Sequence, residues 1–322
     1  MYIDSMKLLD VLSKALKITS KVIADPNAVK ILSFHREQNT LTDKDLKDLL
    51  LYAYINKVSS LLLKRPINDL LAKLRLKLLQ QRRNFLIHLK HVVEMLDKSG
   101  TDYVVFKTLR PVPETPVDID VLVRSKDDVY RAVAYLRKRF SVKVWDEDRY
   151  SIGIRIPELS EFIDFYVKPH VADFVYLDSD ALIDNRVYMH VNELGIEVLV
   201  PIPKPELEFC TILAHSIVKE GLVTLNDVLS LITYELLSSR DELAKLLREF
   251  SLGITYRVFV EALRKPFPVR ISYSDRSKVL ASLLRKRYAA SSLPYPMLSL
   301  GRRLKRAVEQ RKKVTYVRGL EK

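Results

Sequence analysis

The spacing of apolar residues changes twice along this chain of 322 residues, and these two changes constrain the fold more than any other feature. Residues from about 3 to 98 place apolar side chains at helical intervals. After Gly100, short apolar runs indicate strands as far as Val200, with one helix at 126–139 between them. Helical spacing returns after Pro205. We therefore predict an α+β protein in which two helical regions flank a mixed β-sheet.

Three regions follow from this order: an N-terminal helical region at 1–81, a sheet domain at 82–203, and a C-terminal helical bundle with a basic tail at 204–322. Prolines at 201, 203 and 205 predict a stiff connector between the last two. After it we predict helices at 206–220, 225–237 and 241–250. The predicted strands span residues 103–107, 119–123, 142–145, 151–156, 162–167 and 196–200.

Composition narrows the class of protein. Hydrophobic residues make up 48% of the chain, and the single cysteine, Cys210, excludes an internal disulfide. The N-terminus lacks the pattern of a signal peptide, and no run approaches a membrane span, so we expect a cytoplasmic protein without membrane contact. Only seven glycines occur, which excludes glycine-rich phosphate loops of the Walker and Rossmann kinds. Scarce glycine with abundant charge indicates a thermophilic, archaeal source.

Positive charge is concentrated in two segments of a chain whose net charge is +14. Residues 64–90 carry eight Lys or Arg against Asp69 alone, and residues 301–322 carry nine against two glutamates. Two interpretations are open. The segments bind a polyanion, such as RNA or a triphosphate substrate, or they are solvated helix faces.

Three aspartates stand within apolar runs that we predict to be strands. Asp118 and Asp120 open one run, and Asp164 lies inside another. Because strand side chains alternate between faces, Asp118 and Asp120 point the same way while Ile119 points into the core. Like charges on an apolar strand require a counter-charge, protonation or a bound cation. Oxygen ligands suit Mg²⁺ or Mn²⁺, so we predict a hard-cation site.

The order of elements around these aspartates resembles the polymerase-beta-like nucleotidyltransferase superfamily. Within it, the stretch from Asn84 through His91 and Gly100 to Phe106 and Lys107 is similar to the uncharacterised bacterial and archaeal nucleotidyltransferase family. In that family a helix leads into an apolar strand ending in Lys-Gly, and an Asp-Ile-Asp strand follows. The resemblance covers roughly residues 82–237.

The resemblance implies a role for each aspartate. Asp118 and Asp120 would ligate two divalent ions that hold a nucleoside triphosphate, and Asp164 would complete one shell and help to activate the acceptor hydroxyl. Lys107 would hold the triphosphate. The sequence departs from the family after Lys107, because Thr108 replaces glycine and the loop 109–116 has three prolines and no glycine.

Three further residues are candidate nucleotide ligands. Thr108 offers a hydroxyl in place of the usual serine, and Arg110 offers a cation for phosphate. A histidine and an aspartate recur in the helices after the sheet in this family, which implies that His215 faces the nucleotide with Asp227 orienting it. The alternative is that His215 and Asp227 only bond packed helices together. Trp145 and Tyr150 either stack on a base or belong to the core.

These observations predict a metal-dependent nucleotidyltransferase that moves a nucleoside monophosphate to a hydroxyl on RNA, a protein or a small molecule. The alternative is a catalytically degenerate nucleotidyltransferase fold that serves as a nucleic-acid-binding or assembly protein. Glycosyltransferases also use Asp-x-Asp, but they usually begin with a nucleotide-binding α/β domain, whereas this chain begins with nearly 100 helical residues.

Overall fold

The computed structural model describes residues 2–33, 43–63, 69–112, 114–158, 161–171 and 174–284. The helices are α1 Ser5–Val22, α2 Pro26–Ser33, α3 Asp43–Ile55, α4 Ser59–Leu62, α5 Asp69–Ser99, α6 Lys126–Leu136, α7 Ser179–Asp184, α8 Pro205–Ala214, α9 Leu225–Leu237, α10 Arg240–Glu249, α11 Gly253–Ala262 and α12 Tyr273–Leu283. The strands are β1 Tyr2–Asp4, β2 Tyr103–Val105, β3 Asp118–Val123, β4 Lys143–Glu147, β5 Ser151–Ile156, β6 Glu161–Tyr166, β7 His170–Val171, β8 Phe174–Val175, β9 Arg186–Glu193, β10 Ile196–Pro203, β11 Leu222–Val223 and β12 Val269–Arg270. The predicted combination of helices with a mixed sheet is confirmed.

The largest sheet has five strands in the order β2-β3-β6-β5-β4. Only β3 and β6 pair in parallel, and every other neighbouring pair in this sheet is antiparallel. A second sheet, β1-β9-β10, has three strands, and β7-β8 and β11-β12 form short pairs. The parallel pair at the centre of the large sheet carries the three aspartates.

Two hydrophobic cores hold these elements. The sheet core buries one face of the five-stranded sheet, including Ile119 and Ile163, against α5 and α6. The helical core joins the helices before the sheet to those after it, with Ala15 of α1 and Leu229 of α9 among its members. Residues 1–81 and 204–284 therefore share one core where the structure describes them. The proposed division at residues 81 and 203 stays a prediction, although α5 crosses the first of these points.

Several local predictions were wrong. Residues 2–4 form a strand rather than part of a helix, and β9 was missed. Pro201 and Pro203 lie in β10 rather than in a connector. Because β10 is an edge strand, a residue without an N–H group is tolerated there. The predicted helix 206–220 is α8 followed by a π-helical turn, His215–Glu220.

The basic segments are only partly described. Residues 301–322 and 64–68 lie outside the described residues. Within α5, Lys73, Arg75, Lys77 and Arg83 are exposed, whereas Arg82 is buried and paired with Glu193 at 3.1 Å. Among the helices that the structure describes, none is long and apolar enough to cross a membrane.

Candidate metal centre

The three aspartates converge on one face of the five-stranded sheet. Asp120 lies directly opposite Asp164 in the parallel pair of β3 and β6, and Asp118 lies opposite Phe162. One carboxylate oxygen from each of Asp118, Asp120 and Asp164 lies within 4.8 Å of the other two. We call these residues the acidic trio. The structure therefore brings the three together as the sequence predicts.

The acidic trio lies where the helical core stops covering this face of the five-stranded sheet. Farther along the same face, Leu122 and Tyr166 are buried in the helical core. Asp120 is only 8% exposed, while Asp118 and Asp164 are half-buried. The carboxylates are thus partly desolvated, while Asp118 and Asp164 keep partial contact with solvent. This contact leaves coordination positions for water or other oxygen ligands.

Burial and mutual repulsion disfavour the charged forms of the acidic trio. Burial raises the pKa of Asp118 to about 7, and the charges of Asp120 and Asp164 contribute further to the rise. The pKa of Asp164 is also raised, chiefly by burial and next by the charge of Asp120. Lys107 and Lys219 oppose both shifts. A bound cation would lower both pKa values, because it favours the ionised carboxylates.

Lys107 supplies a positive charge beside the acidic trio. Its Nζ lies 2.9 Å from Asp120 Oδ1 and 4.5 Å from the centre of the Tyr166 ring. Burial alone would lower the pKa of Lys107, but Asp120, Tyr176 and Asp118 together outweigh burial and raise it. Its backbone is in the left-handed region, with φ at +59°, which costs an ordinary residue energy. The Lys107 N–H donates to Glu208 Oε1 at 2.6 Å, and this bond holds the strained residue in place.

The donor set fits a divalent ion of the hard class. When ionised, the three carboxylates outnumber the cations beside them, Lys107 and Lys219, and a divalent Mg²⁺ or Mn²⁺ offsets this excess of negative charge. All donors are oxygen atoms, and the free cysteine, Cys210, is buried within α8. Asp118, Asp120 and Asp164 would hold the ion. Lys107 occupies one oxygen of Asp120 and leaves its other oxygen for the metal.

The two loop residues expected to bind nucleotide have protein partners. Thr108 Oγ1 accepts from the N–H of Asp120 at 2.9 Å and lies 3.3 Å from the carbonyl oxygen of Phe106. Arg110 Nη1 donates to Asp227 Oδ1 at 2.5 Å, and both side chains are largely buried. Thr108 therefore positions the backbone of the aspartate strand. Contact of Thr108 or Arg110 with a nucleotide stays a prediction.

The predicted partnership of His215 with Asp227 was wrong. The Asp227 carboxylate accepts from Arg110, from the Thr224 N–H at 2.8 Å and from the Thr224 hydroxyl at 2.7 Å. His215 Nε2 instead lies 3.4 Å from Glu220 Oε1. Asp227 does not contact His215, because it forms an ion pair with Arg110 and a capping box with Thr224 at the start of α9.

His215 nevertheless lies close to the positive charges around the acidic trio. Burial lowers its pKa well below the ordinary value, and the charges of Lys107 and Lys219 lower it further. Its Nδ1 has no hydrogen-bond partner among the residues that the structure describes. His215 is therefore a neutral imidazole with one unpaired nitrogen at neutral pH.

Glu208 was missed as a site residue. It is buried in α8, where it accepts from Lys107, while its Oε2 has no hydrogen-bond partner among the described groups. Burial raises the pKa of Glu208 to about 7. We call Arg110, Asp227 and Glu208 the paired network, because Arg110 forms an ion pair with Asp227 and its charge also opposes the rise in the pKa of Glu208. A signal was present in the sequence, because Glu208 is a charged residue between Leu207 and Phe209 in an apolar helix.

A cavity of about 340 Å³ lies elsewhere, between α7, α8 and α10. Its lining includes the ion pair of Lys204 and Glu242, whose atoms are 3.0 Å apart, and none of the acidic trio. Both lysines of the lining, Lys204 and Lys245, form ion pairs with Glu242 or Glu249. The acidic trio therefore remains the better candidate for chemistry.

No protein-family model matches the chain, and no curated protein is significantly similar to it. The fold and the geometry of the acidic trio thus carry the functional argument by themselves.

Proposed function

We propose that the protein transfers a nucleoside monophosphate from a nucleoside triphosphate to a hydroxyl group, in a reaction that depends on Mg²⁺ or Mn²⁺. One observation carries the proposal: Asp118, Asp120 and Asp164 converge from two adjacent strands, and two of them keep partial contact with solvent. A local excess of buried negative charge is costly, and a metal–phosphate ligand would offset it.

Each residue has a role in this transfer. Bound divalent ions would supply charge stabilisation at the attacking and leaving oxygens. Lys107 neutralises a phosphate oxygen, and Asp164 accepts the proton of the acceptor hydroxyl. The hydroxyl oxygen forms a bond to the α-phosphorus while the bond from that phosphorus to the pyrophosphate oxygen breaks. Pyrophosphate then leaves.

RNA is the acceptor that the charge of the chain favours. A net charge of +14 attracts polyanions, and the exposed cations of α5 would bind phosphates. If this is so, filter binding of RNA weakens steeply as salt rises. An affinity that does not change with salt would exclude RNA.

Transfer is tested directly with nucleoside triphosphates labelled at the α-phosphate, Mg²⁺ or Mn²⁺, and total RNA. We expect label to enter RNA with the wild type and to be lost with Asp118→Asn and Asp164→Asn. Asp127→Asn is the matched control, because Asp127 is exposed on α6 and the same charge is removed. No label under any metal would overturn the proposal.

A second candidate is a binding protein that keeps the fold without catalysis. The observation that favours it is that Lys107, Thr108 and Arg110 all have protein partners. Calorimetry with ATP and Mg²⁺ separates the two candidates. Heat of binding that disappears in Asp120→Asn supports the enzyme, whereas RNA binding without any nucleotide binding supports the binding protein.

A further inference from the structure

A β-bulge directs the only tryptophan of the chain toward the acidic trio. Strand β4 shifts register against β5 between Val144 and Asp146, so that Trp145 is the extra residue. A bulge re-aims side chains and often lies beside a functional site. The Trp145 indole consequently lies over Gly153, which is paired with Asp164 on the next strand.

Gly153 makes room for the indole. A Cβ atom at this position would collide with Trp145 Nε1 and would lie 3.1 Å from Asp164 Oδ1. The absence of a side chain therefore lets the indole lie against the strand next to the acidic trio. Trp145 and Asp164 are immediate neighbours on one face of the sheet.

Trp145 remains exposed despite its size. It is 60% exposed, whereas Tyr150, the other candidate for stacking on a base, is only 8% exposed. The Trp145 ring meets the half-buried Phe162 edge to face, with ring centres 5.5 Å apart, and the Arg155 guanidinium lies 5.4 Å from the Phe162 ring centre. We call Trp145, Phe162 and Arg155 the aromatic platform. It combines an exposed indole with a cation.

Two exposed cations of the aromatic platform region, Lys143 and Arg155, offer contacts to an anionic ligand, while Asp146, opposite Gly153, carries negative charge on the acidic-trio side. Lys143 of β4 lies directly opposite Arg155 of β5, and both are exposed. Like charges at opposed positions destabilise a sheet. The pKa of Glu158 is lowered chiefly by its hydrogen bond with Ser141 and also by the charge of Lys143, so Glu158 offsets part of the repulsion. A phosphate placed between Lys143 and Arg155 would offset the remaining repulsion between these two cations.

The aromatic platform and Lys107 lie on opposite sides of the acidic trio. Lys107 follows β2 at one side of the sheet, the acidic trio lies on β3 and β6, and Trp145 lies on β4 at the other side. A triphosphate beside Lys107 therefore leaves the Trp145 side for the second substrate. Bases of single-stranded nucleic acid stack on exposed aromatic side chains, while nearby cations bind the phosphates.

We propose that the aromatic platform binds a nucleobase at the end of a single-stranded RNA, and that this RNA is the acceptor of the transfer. The inference rests on the proposed function for its catalytic part, and its binding part is testable separately. Stacking on Trp145 would place the terminal ribose beside Asp164.

The single tryptophan makes the binding test direct, because all tryptophan emission comes from Trp145. The protein is titrated with a single-stranded RNA dodecamer and, in parallel, with the same RNA whose last nucleotides are abasic. We expect the intact RNA to quench emission and the abasic RNA to quench it far less. Equal quenching by both would overturn the inference, since phosphates alone would then explain binding. Quenching by ATP but not by RNA would overturn the acceptor assignment.

Substitutions provide an independent readout by anisotropy of a labelled RNA. Trp145→Ala should weaken binding about ten- to a hundredfold, as expected for loss of one stacked base. Trp145→Phe should restore most of the affinity. Tyr273→Ala is the matched control, because Tyr273 is 88% exposed on α12 outside the platform. An unchanged affinity in Trp145→Ala would overturn the inference.

Transfer assays distinguish this inference from the proposed function. Trp145→Ala should raise KM for RNA with a smaller change in kcat, while Asp118→Asn should abolish transfer and keep base-dependent quenching. If Trp145→Ala transfers label with an unchanged KM for RNA, the platform is not the acceptor site, and the proposed function still stands. Base-dependent quenching in a protein that never transfers label would overturn the proposed function and the acceptor role, and would keep the platform as a nucleobase site.

Discussion

Two groups of charged residues meet at Lys107, and they differ in how their charges are matched. Lys107 contacts the acidic trio through its ammonium group and the paired network through its backbone N–H. In the paired network, Arg110 neutralises Asp227, which Thr224 also hydrogen-bonds. In the acidic trio, three carboxylates lie beside two lysines, Lys107 in contact with Asp120 and Lys219 nearby, so negative charge is in excess when all three are ionised.

This difference separates a structural role from a ligand-binding role. A buried charge with a counter-charge and hydrogen bonds is compatible with a stable fold by itself. An excess of like charges raises the free energy of the folded state until a ligand of opposite charge binds. Substitutions in the acidic trio should consequently lower activity without lowering stability. Substitutions in the paired network should lower stability.

The largest effect is expected for activity in the acidic trio. Asp118→Asn removes a metal ligand, and a loss of several kcal/mol of transition-state stabilisation corresponds to about a thousandfold lower rate of transfer. The same substitution relieves repulsion by Asp120 and Asp164, so the melting temperature without metal should stay constant or rise. Both quantities are measured on one preparation by label transfer and calorimetry. A variant that loses activity because it is less stable would contradict the comparison.

The paired network should show the reverse pattern. Arg110→Leu leaves the Asp227 carboxylate buried without a counter-charge, which should lower the free energy of unfolding by about 3–5 kcal/mol. Adding Asp227→Asn should recover part of this loss, because the neutral amide still offers an oxygen to Thr224.

A surface cation provides the control for Arg110. Arg124 contacts Asp102, Asp180 and Asp184 but is 37% exposed, so Arg124→Leu should cost less than about 1 kcal/mol. Chemical denaturation measures all these variants. Equal losses for Arg110→Leu and Arg124→Leu would show that burial does not distinguish the two sites.

Glu208 should make stability depend on pH. Its pKa is raised from 4.5 to about 7 in the folded protein, so the folded state binds more protons than the unfolded state between these values. The contribution of Glu208 to the free energy of unfolding is therefore largest below pH 4.5 and falls as the pH rises to about 7. The total is at most about 3 kcal/mol. Glu208→Gln should remove this dependence, and parallel pH profiles of the two proteins would contradict the assignment.

The smallest effect is stabilisation by metal alone. Mg²⁺ or Mn²⁺ at one hundred times its Kd should raise the free energy of unfolding by about 2.7 kcal/mol. Asp164→Asn should lose this increment, whereas Asp127→Asn should keep it. Thermal denaturation with and without metal is the measurement. An increment that persists in Asp164→Asn would place the metal elsewhere.

Strong local patterns made much of the fold predictable. The boundaries of β5 and α9 agree with the prediction at both ends, because each has clear periodicity and α9 begins with a capping box at Thr224. β9 was missed although a signal was present, because its buried Val187, Met189 and Val191 alternate with exposed or half-buried residues, as in a half-buried strand. The short strand β1 depends on parallel pairing with β9, a contact that local spacing does not reveal.

The candidate site was predictable only where one strand sets the geometry. Asp118 and Asp120 share a face by alternation alone, and Asp164 joins them because β3 and β6 turned out to be neighbours. The pairing of Arg110 with Asp227 spans 117 positions in the sequence. The left-handed backbone of Lys107 depends on Glu208, 101 positions away. Such contacts arise from packing, and a single sequence carries no local signal for them.

The long helix α5 determines how the chain can be divided for experiments. Its first turns pack Leu71 into the helical core, and its later turns pack Phe85 and Leu89 into the sheet core. An expression fragment that starts at residue 82 would cut through a continuous helix and expose apolar surface from both sides of the cut. A soluble fragment that contains the aspartate strands must therefore begin before Asp69. Because the continuous helix α5 packs in both hydrophobic cores, we expect both cores to unfold in a single cooperative transition.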